Sequence, residues 1–229
     1  MPTIHDKEFG DIVVRSQQNA SRITIKIAPD GRLRASAPPR TPTLAVKALI
    51  ATSRGKLREM VAAHQETYGY TSDMPIGKSH SLIISQGVSM AVRTSGTTIL
   101  AQVGPDDAID RPAVQAEIRT HVLKALRKEA SNYLPRRLKH LADKHGFTYS
   151  AVKITHAGTR WGSCSSRGTI SLNISLMQLP FELLDYVLVH ELAHTKHMNH
   201  SSNFWDEVAR MDPNYKTHRT RIKQYSPYV

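Results

Sequence analysis

The feature that most constrains this chain is the pentapeptide His190 to His194, which reads His-Glu-Leu-Ala-His. Two histidines four residues apart can reach one ion only if the segment is helical, because positions i and i+4 then lie one turn apart on one face. The preceding sequence favours a helix, since Pro180 suits a first turn and apolar residues follow at helical spacing, at Leu183, Leu184, Val187, Leu188 and Leu192. The fold must therefore present the histidine face of this helix to a site.

Two imidazoles on one helix face, with a carboxylate beside the first, are typical of a zinc hydrolase. His190 and His194 can bind one tetrahedral Zn²⁺ through their ring nitrogens. Glu191 can accept a proton from a water that the ion activates, without itself binding the ion. We predict one zinc ion per chain, and the same donors are compatible with other divalent transition metals.

A catalytic zinc usually keeps three protein ligands, and the predicted third ligand is His200, six residues after His194. The chain must turn back between them, and Asn199 suits that turn because asparagine tolerates the left-handed conformation. Two alternatives stay open. His200 could instead precede a helix capped by the serines that follow it, or Glu207 could be the third ligand. His197 is predicted to be a surface residue or a residue that supports a ligand.

Short strands dominate the first part of the chain and helical patterns the second, which predicts an α+β fold. Apolar residues alternate over 23–27 and 33–35, and the turn residues Pro29-Asp30-Gly31 between them indicate a hairpin. Helical spacing follows over 43–64, and strand-like runs return over 80–103. We therefore expect a β-rich N-terminal part packed with a helical C-terminal part.

A turn-rich stretch near residue 105 divides the chain into predicted regions 1–105 and 106–229, which could also form one continuous domain. A long helical pattern runs from Ile118 to Leu141, and Pro135 is expected to kink it or to start a second helix. Residues 169–176 alternate strictly between apolar and polar side chains and form the clearest predicted strand. Such alternation indicates a half-buried strand.

The composition predicts a basic protein of the cytoplasm. The net charge is +12, no apolar run is long enough to span a membrane, and the N-terminus lacks the apolar core of a signal peptide. The single cysteine, Cys164, excludes an internal disulfide framework. The densest basic stretch, 119–144, carries eight bases and two acids, and it is either a solvated helix face or a surface that binds nucleic acid.

Several short segments between residues 160 and 205 make the sequence similar to the YgjP-like metallopeptidase family, relatives of the SprT and WLM zincin-like proteins. The likeness extends more loosely to the strands, proline-rich turn and helix before residue 150. The chain departs from the family pattern at Thr195, where leucine is usual, at Pro135, and in lacking a tryptophan in the helix around 54–62. The matching segments are Arg160-Trp161-Gly162-Ser163-Cys164-Ser165, Ile170-Ser171-Leu172-Asn173, Asp185-Tyr186-Val187, the His190–His194 pentapeptide, Asn199-His200-Ser201 and Phe204-Trp205.

The resemblance implies a zincin-like fold with a single metal ion held by His190, His194 and His200, and with Glu191 as the general base. It also implies that the strand before the active-site helix lies at the edge of the cleft. Residues 169–176 are then the strand with which an extended peptide substrate would pair.

The segment that begins at Arg160 has more than one interpretation. Arg160 could stabilise a developing oxyanion, hold an anionic group of the substrate or form a structural ion pair. Trp161 could line the cleft or belong to the core. Cys164 is predicted to be a small buried residue, because no second cysteine is available for redox exchange.

These observations predict a zinc-dependent metallohydrolase, foremost a metallopeptidase, with Glu191 and Arg160 as catalytic residues and a peptide or protein as substrate. Three alternatives stay open: a nucleoside triphosphate pyrophosphatase that uses the same metal site, a nucleic-acid-associated protease localised by the basic helix 119–144, and a structural zinc module. Glu191 argues against the last, because a structural site needs no base.

Overall fold

The structure is a computed structural model that describes the 229-residue chain except for Met1, residues 29–31 and the side chains of residues 64–68. The predicted turn Pro29-Asp30-Gly31 lies outside the described residues. The chain forms two compact units: the first contains Met1–Met74, Leu82–His121 and Val229, and the second contains Pro75–Ser81 and Val122–Tyr228. Strands and helices are mixed in an α+β fold, as the sequence predicts. The boundary near residue 105 stays a prediction.

The N-terminal sheet belongs to the first unit. Its strands follow the order β1-β2-β4-β3, where β2 lies parallel to β4 and the two outer pairs are antiparallel. Alternating apolar residues of these strands, among them Ile12 and Leu33, pack with Val46 and Ile50 of the following helix in one buried cluster. The elements are β1 Thr3–Asp6, β2 Gly10–Ser16, β3 Thr24–Ile27, β4 Leu33–Ala37, α1 Thr43–Thr52 and α2 Arg54–Tyr68.

The helix predicted over 43–64 is two helices that meet at Ser53. Near the end of α1, the hydroxyl of Thr52 donates to the carbonyl groups of Ala48 and Leu49. Such bonds from a threonine back to the preceding turn weaken helix continuity. The break therefore comes from the last turn of α1, and Gly55 lies inside α2.

A second sheet follows in the order β5-β6-β8-β7. The hairpin between β7 and β8 pairs Ser95 with Thr98, so Gly96 and Thr97 form a two-residue turn. Gly96 has a φ of 59°, which suits glycine in this type of tight turn. The strands are β5 Met74–Ile76, β6 His80–Gln86, β7 Ala91–Ser95 and β8 Thr98–Val103.

One long helix, α3 (Pro112–His145), carries the basic stretch of the sequence. It continues through Pro135, so no second helix begins at that residue. The predicted apolar stripe is its buried face, formed by Ile118, Val122, Leu126, Ala130, Leu134, Leu138 and Leu141. No helix in the described part of the chain combines the length and apolar composition needed to cross a membrane.

The second unit contains a small sheet and three further helices around the pentapeptide. The elements are β9 Ala151–Thr155, β10 Gly162–Cys164, β11 Thr169–Asn173, α4 Phe181–Ala193, α5 Ser202–Met211 and α6 Tyr215–Arg221. A short 3₁₀ helix, Ile174–Gln178, links β11 to α4.

The prediction that 169–176 is the edge strand is wrong. The sheet order is β10-β11-β9, so β11 is the central strand, antiparallel to β10 and parallel to β9. The predicted alternation is present, since Ile170 and Leu172 are buried while Thr169 and Ser171 are half-buried, but alternation does not distinguish an edge strand from a central one. The edge strand that packs on α4 is the three-residue β10.

The segment Pro75–Ser81 anchors the start of α4. The carboxylate of Glu129 accepts hydrogen bonds from the backbone N–H groups of Lys78 and Ser79, at 2.7 and 2.9 Å, and from Nδ1 of His80 at 2.6 Å. The ammonium group of Lys78 donates to the carbonyl of Leu179. This network joins α3 to the residues that lead into the histidine helix.

Candidate metal centre

Helix α4 holds three of the predicted site residues on a buried scaffold. It begins after Pro180, and fully buried Leu183, Leu184, Leu188 and Leu192 anchor its apolar face. The helix ends at Ala193, and His194 is its C-cap residue with right-handed helical backbone angles. The i,i+4 relation between His190 and His194 is thus preserved to the last turn.

The turn that returns the chain to the site does not use a left-handed Asn199. Among the described residues outside glycine, positive φ angles occur only at Arg40 and Asp73. The backbone closes tightly after the helix, where the N–H groups of Thr195 and His197 donate to the carbonyl groups of Leu192 and Ala193, and a bend follows at residues 198 and 199. The expected left-handed conformation of Asn199 is therefore wrong, although the residue lies in the bend.

His200 meets the two helical histidines at one point. Its Nε2 lies 3.2 Å from Nε2 of His190, and one ring nitrogen from each of His190, His194 and His200 lies within 4.8 Å of the others. For Zn–N bonds of about 2.0–2.1 Å in a tetrahedral site, two ligand nitrogens lie about 3.3 Å apart. The observed separation of the first pair fits a shared ion.

The two alternatives for this region have different outcomes. His200 does directly precede Ser201, the N-cap residue of α5, although the side chain of Ser201 makes no capping hydrogen bond, and the same His200 also reaches the other two histidines. Glu207 is held by two cations, with Oε1 at 3.0 Å from Nζ of Lys196 and Oε2 at 2.9 Å from Arg210. Its carboxylate therefore serves an ion-pair network and is not among the clustered donor atoms.

A backbone carbonyl orients one of the ligands. Nδ1 of His194 lies 3.0 Å from the carbonyl oxygen of His197, and because a carbonyl only accepts, Nδ1 must carry the proton. Nε2 of His194 is then left with a free lone pair, which is the arrangement that a metal ligand needs. His197 thus supports a ligand through its main chain, a role that its side-chain type does not reveal.

Aromatic rings pack the three imidazoles into a rigid cluster. The ring of Phe204 is fully buried, and its centre lies between 4.5 and 4.9 Å from the centres of all three imidazoles. Trp205 stacks on His200 with ring centres 5.6 Å apart and planes inclined by 22°. Sequence reasoning missed this role of Phe204, although α5 shows its amphipathic pattern.

Burial favours the neutral form of the two helical imidazoles, His190 and His194. It lowers the pKa of His190 to about 3, with the neighbouring imidazoles and Arg219 acting in the same direction, and it also lowers the pKa of His194. Nδ1 of His190 is buried without a hydrogen-bond partner among the described residues. Neutral imidazoles bind a metal without first losing a proton, so the donor set fits a divalent ion of the zinc type.

Glu191 lies in an apolar environment next to this cluster. It is only 5% exposed, and its Oε2 is buried with no hydrogen-bond partner in the described part of the chain. Burial raises the pKa of Glu191 to about 8, against the lowering influence of Arg160. A carboxylate this poorly solvated is a stronger base than an exposed one.

Gly162 of β10 provides the space for this carboxylate. A Cβ atom built on Gly162 would lie 2.8 Å from Oε1 and 2.9 Å from Cγ of Glu191. A contact this short would force the side chain of Glu191 or the strand to shift, so glycine lets the carboxylate keep its position. The glycine in the Arg160-to-Ser165 segment is therefore explained by its contact with the predicted base.

Asn173 fixes the loop that carries Arg160. Its side-chain amide donates to the carbonyl groups of Ala157 and Arg160, at 2.5 and 2.9 Å, and its backbone N–H donates to the carbonyl of Trp161. The side chain of Arg160 is exposed and forms no ion pair with a described residue. The structural ion pair considered for Arg160 is thus not found among the described residues.

The remaining residues of that segment are less buried than expected. Trp161 is half-buried and belongs neither wholly to the core nor to the surface. Cys164 is also half-buried, where burial raises the pKa of its thiol above the ordinary value and a nearby Glu191 adds to the effect. A raised thiol pKa disfavours the thiolate, which is the reactive form.

Comparison with known protein families gives a match. A family model described as "YgjP-like, metallopeptidase domain" matches residues 21–225. Among curated proteins, none matches the chain.

Two solved structures share a shorter region with this chain. The metallopeptidase zymogen abylysin of Pyrococcus abyssi is 33% identical, over 39% of this chain and 91% of that one, with a TM-score of 0.37. The metallopeptidase zymogen jannalysin of Methanocaldococcus jannaschii is 23% identical, over 39% of this chain and 93% of that one, with a TM-score of 0.36.

Proposed function

Because the chain belongs to the YgjP-like metallopeptidase family, which makes it a metal-dependent hydrolase, we propose that it is a zinc peptidase with Glu191 as its general base. His190, His194 and His200 are the residues that would hold the ion. The observation that carries this proposal is the convergence of three ring nitrogens within 4.8 Å beside a buried carboxylate that lacks a partner.

A bound zinc ion supplies a Lewis acid that polarises a carbonyl group and lowers the pKa of water. The chain itself supplies the base: Glu191 accepts the proton of the attacking water and later delivers it to the leaving amine. Its burial next to Gly162 excludes bulk water from the carboxylate. Arg160, whose positive charge acts on Glu191, is the proposed residue that stabilises negative charge developing on the substrate.

The edge strand β10 is the proposed site of peptide pairing. One side of Gly162–Cys164 pairs with β11, and the sheet order leaves the other side without a strand in the described part of the chain. An extended peptide can add to such an edge through main-chain hydrogen bonds. Since Gly162 touches Glu191, a peptide bound there would lie close to the proposed base.

The family match favours a peptide or protein as substrate. The nucleotide pyrophosphatase and the nucleic-acid-associated protease stay predictions from the sequence, and so does the place of the protein in the cytoplasm. All eight bases between residues 119 and 144 lie on α3. One of them, Arg137, forms an ion pair with Asp185 of α4.

The test combines metal analysis with cleavage of a denatured protein. The purified wild type should contain about one zinc ion per chain and cleave unfolded casein, whereas Glu191→Gln should keep the zinc and lose activity by about 10²–10⁴-fold. Glu207→Gln is the matched control, because it alters a nearby carboxylate that takes part in ion pairs only, and it should keep both properties. Full activity of Glu191→Gln would contradict the assigned base.

A further inference from the structure

Two arginines lie beside the histidine cluster. Four carboxylates of the surrounding helices and turns lie within 3.1 Å of a basic side chain, namely Glu182, Asp185, Glu207 and Asp212, whereas the exposed Asp206 of α5 forms no ion pair with a described residue. Arg160 and Arg219 form no ion pair with any residue that the structure describes, and both are exposed. In a chain of net charge +12 unpaired bases are expected, so the position of these two is what distinguishes them.

Arg219 is held against the site by an aromatic stack. Its guanidinium carbon lies 4.4 Å from the ring centre of Trp205, and Trp205 in turn stacks on His200. Arg219 belongs to α6, which packs on the histidine helix α4. Because stacking uses the face of the guanidinium, its N–H donors stay available for a carboxylate.

Arg160 lies at the Glu191 side of the same cluster. It precedes Gly162 by two residues, and Gly162 is in contact with Glu191. The hydrogen bond from Asn173 holds its main chain, so the side chain projects from a fixed point. One cation is therefore positioned near the general base and a second near the third histidine.

No carboxylate within the described residues forms an ion pair with either cation, although the exposed Asp206 follows Trp205 on α5. Glu191 is the acidic residue in contact with β10, and it is buried. A substrate with an acidic side chain thus meets two unpaired guanidinium groups, each able to bind a carboxylate in bidentate fashion. A basic side chain at the same place would meet like charges and would be disfavoured.

From this arrangement we propose that the substrates are acidic peptides, in which a carboxylate side chain near the scissile bond is bound by Arg219 with Arg160 as the second positive group. The inference rests on the proposed peptidase function and names its substrate class. Nucleoside triphosphates are also anions, and competition with ATP distinguishes a nucleotide site from a site for acidic peptides. Net positive charge would also speed the encounter with an acidic chain.

The experiment measures binding without turnover, by fluorescence anisotropy on the zinc-loaded Glu191→Gln protein at physiological ionic strength. The probes are labelled peptides of one sequence that carry Glu, Gln or Lys at the central positions. The Glu peptide should bind about tenfold more tightly than the Gln peptide, and the Lys peptide should bind most weakly. Adding Arg219→Gln should remove most of this preference, with zinc content unchanged by elemental analysis.

Arg127→Gln is the matched control, because it removes one exposed positive charge from α3, away from the site residues. It should preserve the preference for the Glu peptide. Equal binding of the Glu and Gln peptides would overturn the proposal, and so would an equal loss in the Arg127 and Arg219 variants, since the net charge alone would then explain binding.

Two further outcomes separate this inference from the proposed function. Cleavage of peptides without any acidic preference would leave the peptidase standing and overturn the substrate class. In a second outcome, Arg219→Gln abolishes the binding of the Glu peptide, but the wild type cleaves no peptide. This result would support the carboxylate site and contradict the peptidase. Displacement by ATP with no preference among the peptides would overturn the proposal in favour of a nucleotide.

Discussion

Gly162 and Glu191 are in direct contact, although they lie 29 residues apart in the sequence and in different elements. A methyl group on Gly162 would approach Oε1 of Glu191 to 2.8 Å. Glycine at position 162 therefore lets the edge strand β10 and the histidine helix α4 pack at this distance without a shift of the Glu191 carboxylate. The contact connects the proposed peptide-binding edge to the proposed base.

Gly162→Ala should reduce kcat by about tenfold or more while the zinc content stays at the wild-type level. The added methyl group must displace the carboxylate of Glu191 or the edge strand, and small displacements of a catalytic group are costly. Steady-state kinetics and elemental analysis measure the two effects. Gly55→Ala, where no atom lies within 4 Å of the added carbon, should leave the kinetics unchanged.

His200→Ala should weaken zinc binding by about a hundredfold or more, because it removes one of three donors. Competition with a chelator of known affinity measures the change. His197→Ala is the matched control, since His197 contacts His194 through its main-chain carbonyl, which the substitution retains. If His200→Ala bound zinc as tightly as the wild type, His200 could not be a ligand.

In the metal-free protein, stability should fall as the pH rises from 6.5 to 8. The buried Glu191 keeps its proton up to a pKa of about 8, whereas the unfolded chain releases it near 4.5, so the unfolded state binds fewer protons in this range. The slope approaches about 1.4 kcal/mol per pH unit. Below 6.5 the lowered pKa of His190 acts in the opposite sense, because the unfolded imidazole then binds a proton that the folded one does not.

Urea unfolding of the chelated wild type and of Glu191→Gln at several pH values tests this dependence. The glutamine variant carries no titrating group at the position, so its free energy of unfolding should be nearly constant between pH 6.5 and 8. Parallel slopes for the two proteins would contradict the raised pKa of Glu191.

Glu129→Gln should destabilise the protein by about 2–4 kcal/mol, because the buried carboxylate accepts hydrogen bonds from Lys78, Ser79 and His80 that an amide cannot all accept.

The contribution of Glu129 to stability should also depend on pH. Burial raises the pKa of Glu129, but the hydrogen-bond donors outweigh burial and hold the pKa below the ordinary value. The stabilisation is therefore present above pH 4.5 and is lost as the pH falls through the lowered pKa. Denaturant unfolding checks this, and Glu59→Gln on the exposed face of α2 should change stability by less than about 0.5 kcal/mol.

Local spacing determined the parts of this protein that depend on one helix or one strand. The i,i+4 relation of His190 and His194 and the apolar stripe of α3 follow from helix geometry alone, and both are present in the structure. The alternation over 169–176 likewise predicted the strand β11, although the strand ends at Asn173 and a 3₁₀ helix begins at Ile174. These features need only neighbouring residues, so periodicity reveals them.

Contacts between distant segments decided the rest. Three features depend on which segments meet: the central place of β11 in its sheet, the contact of Gly162 with Glu191, and the hydrogen bond between His194 and the carbonyl of His197. Hydrophobic periodicity shows which face of a strand is buried but does not identify its neighbours. The six-residue offset and the resemblance both indicated His200 as a ligand, whereas its convergence with the helical histidines and its packing on Phe204 are features of the tertiary structure. A strand pattern shows which face is buried, whereas its neighbours are chosen by the tertiary fold.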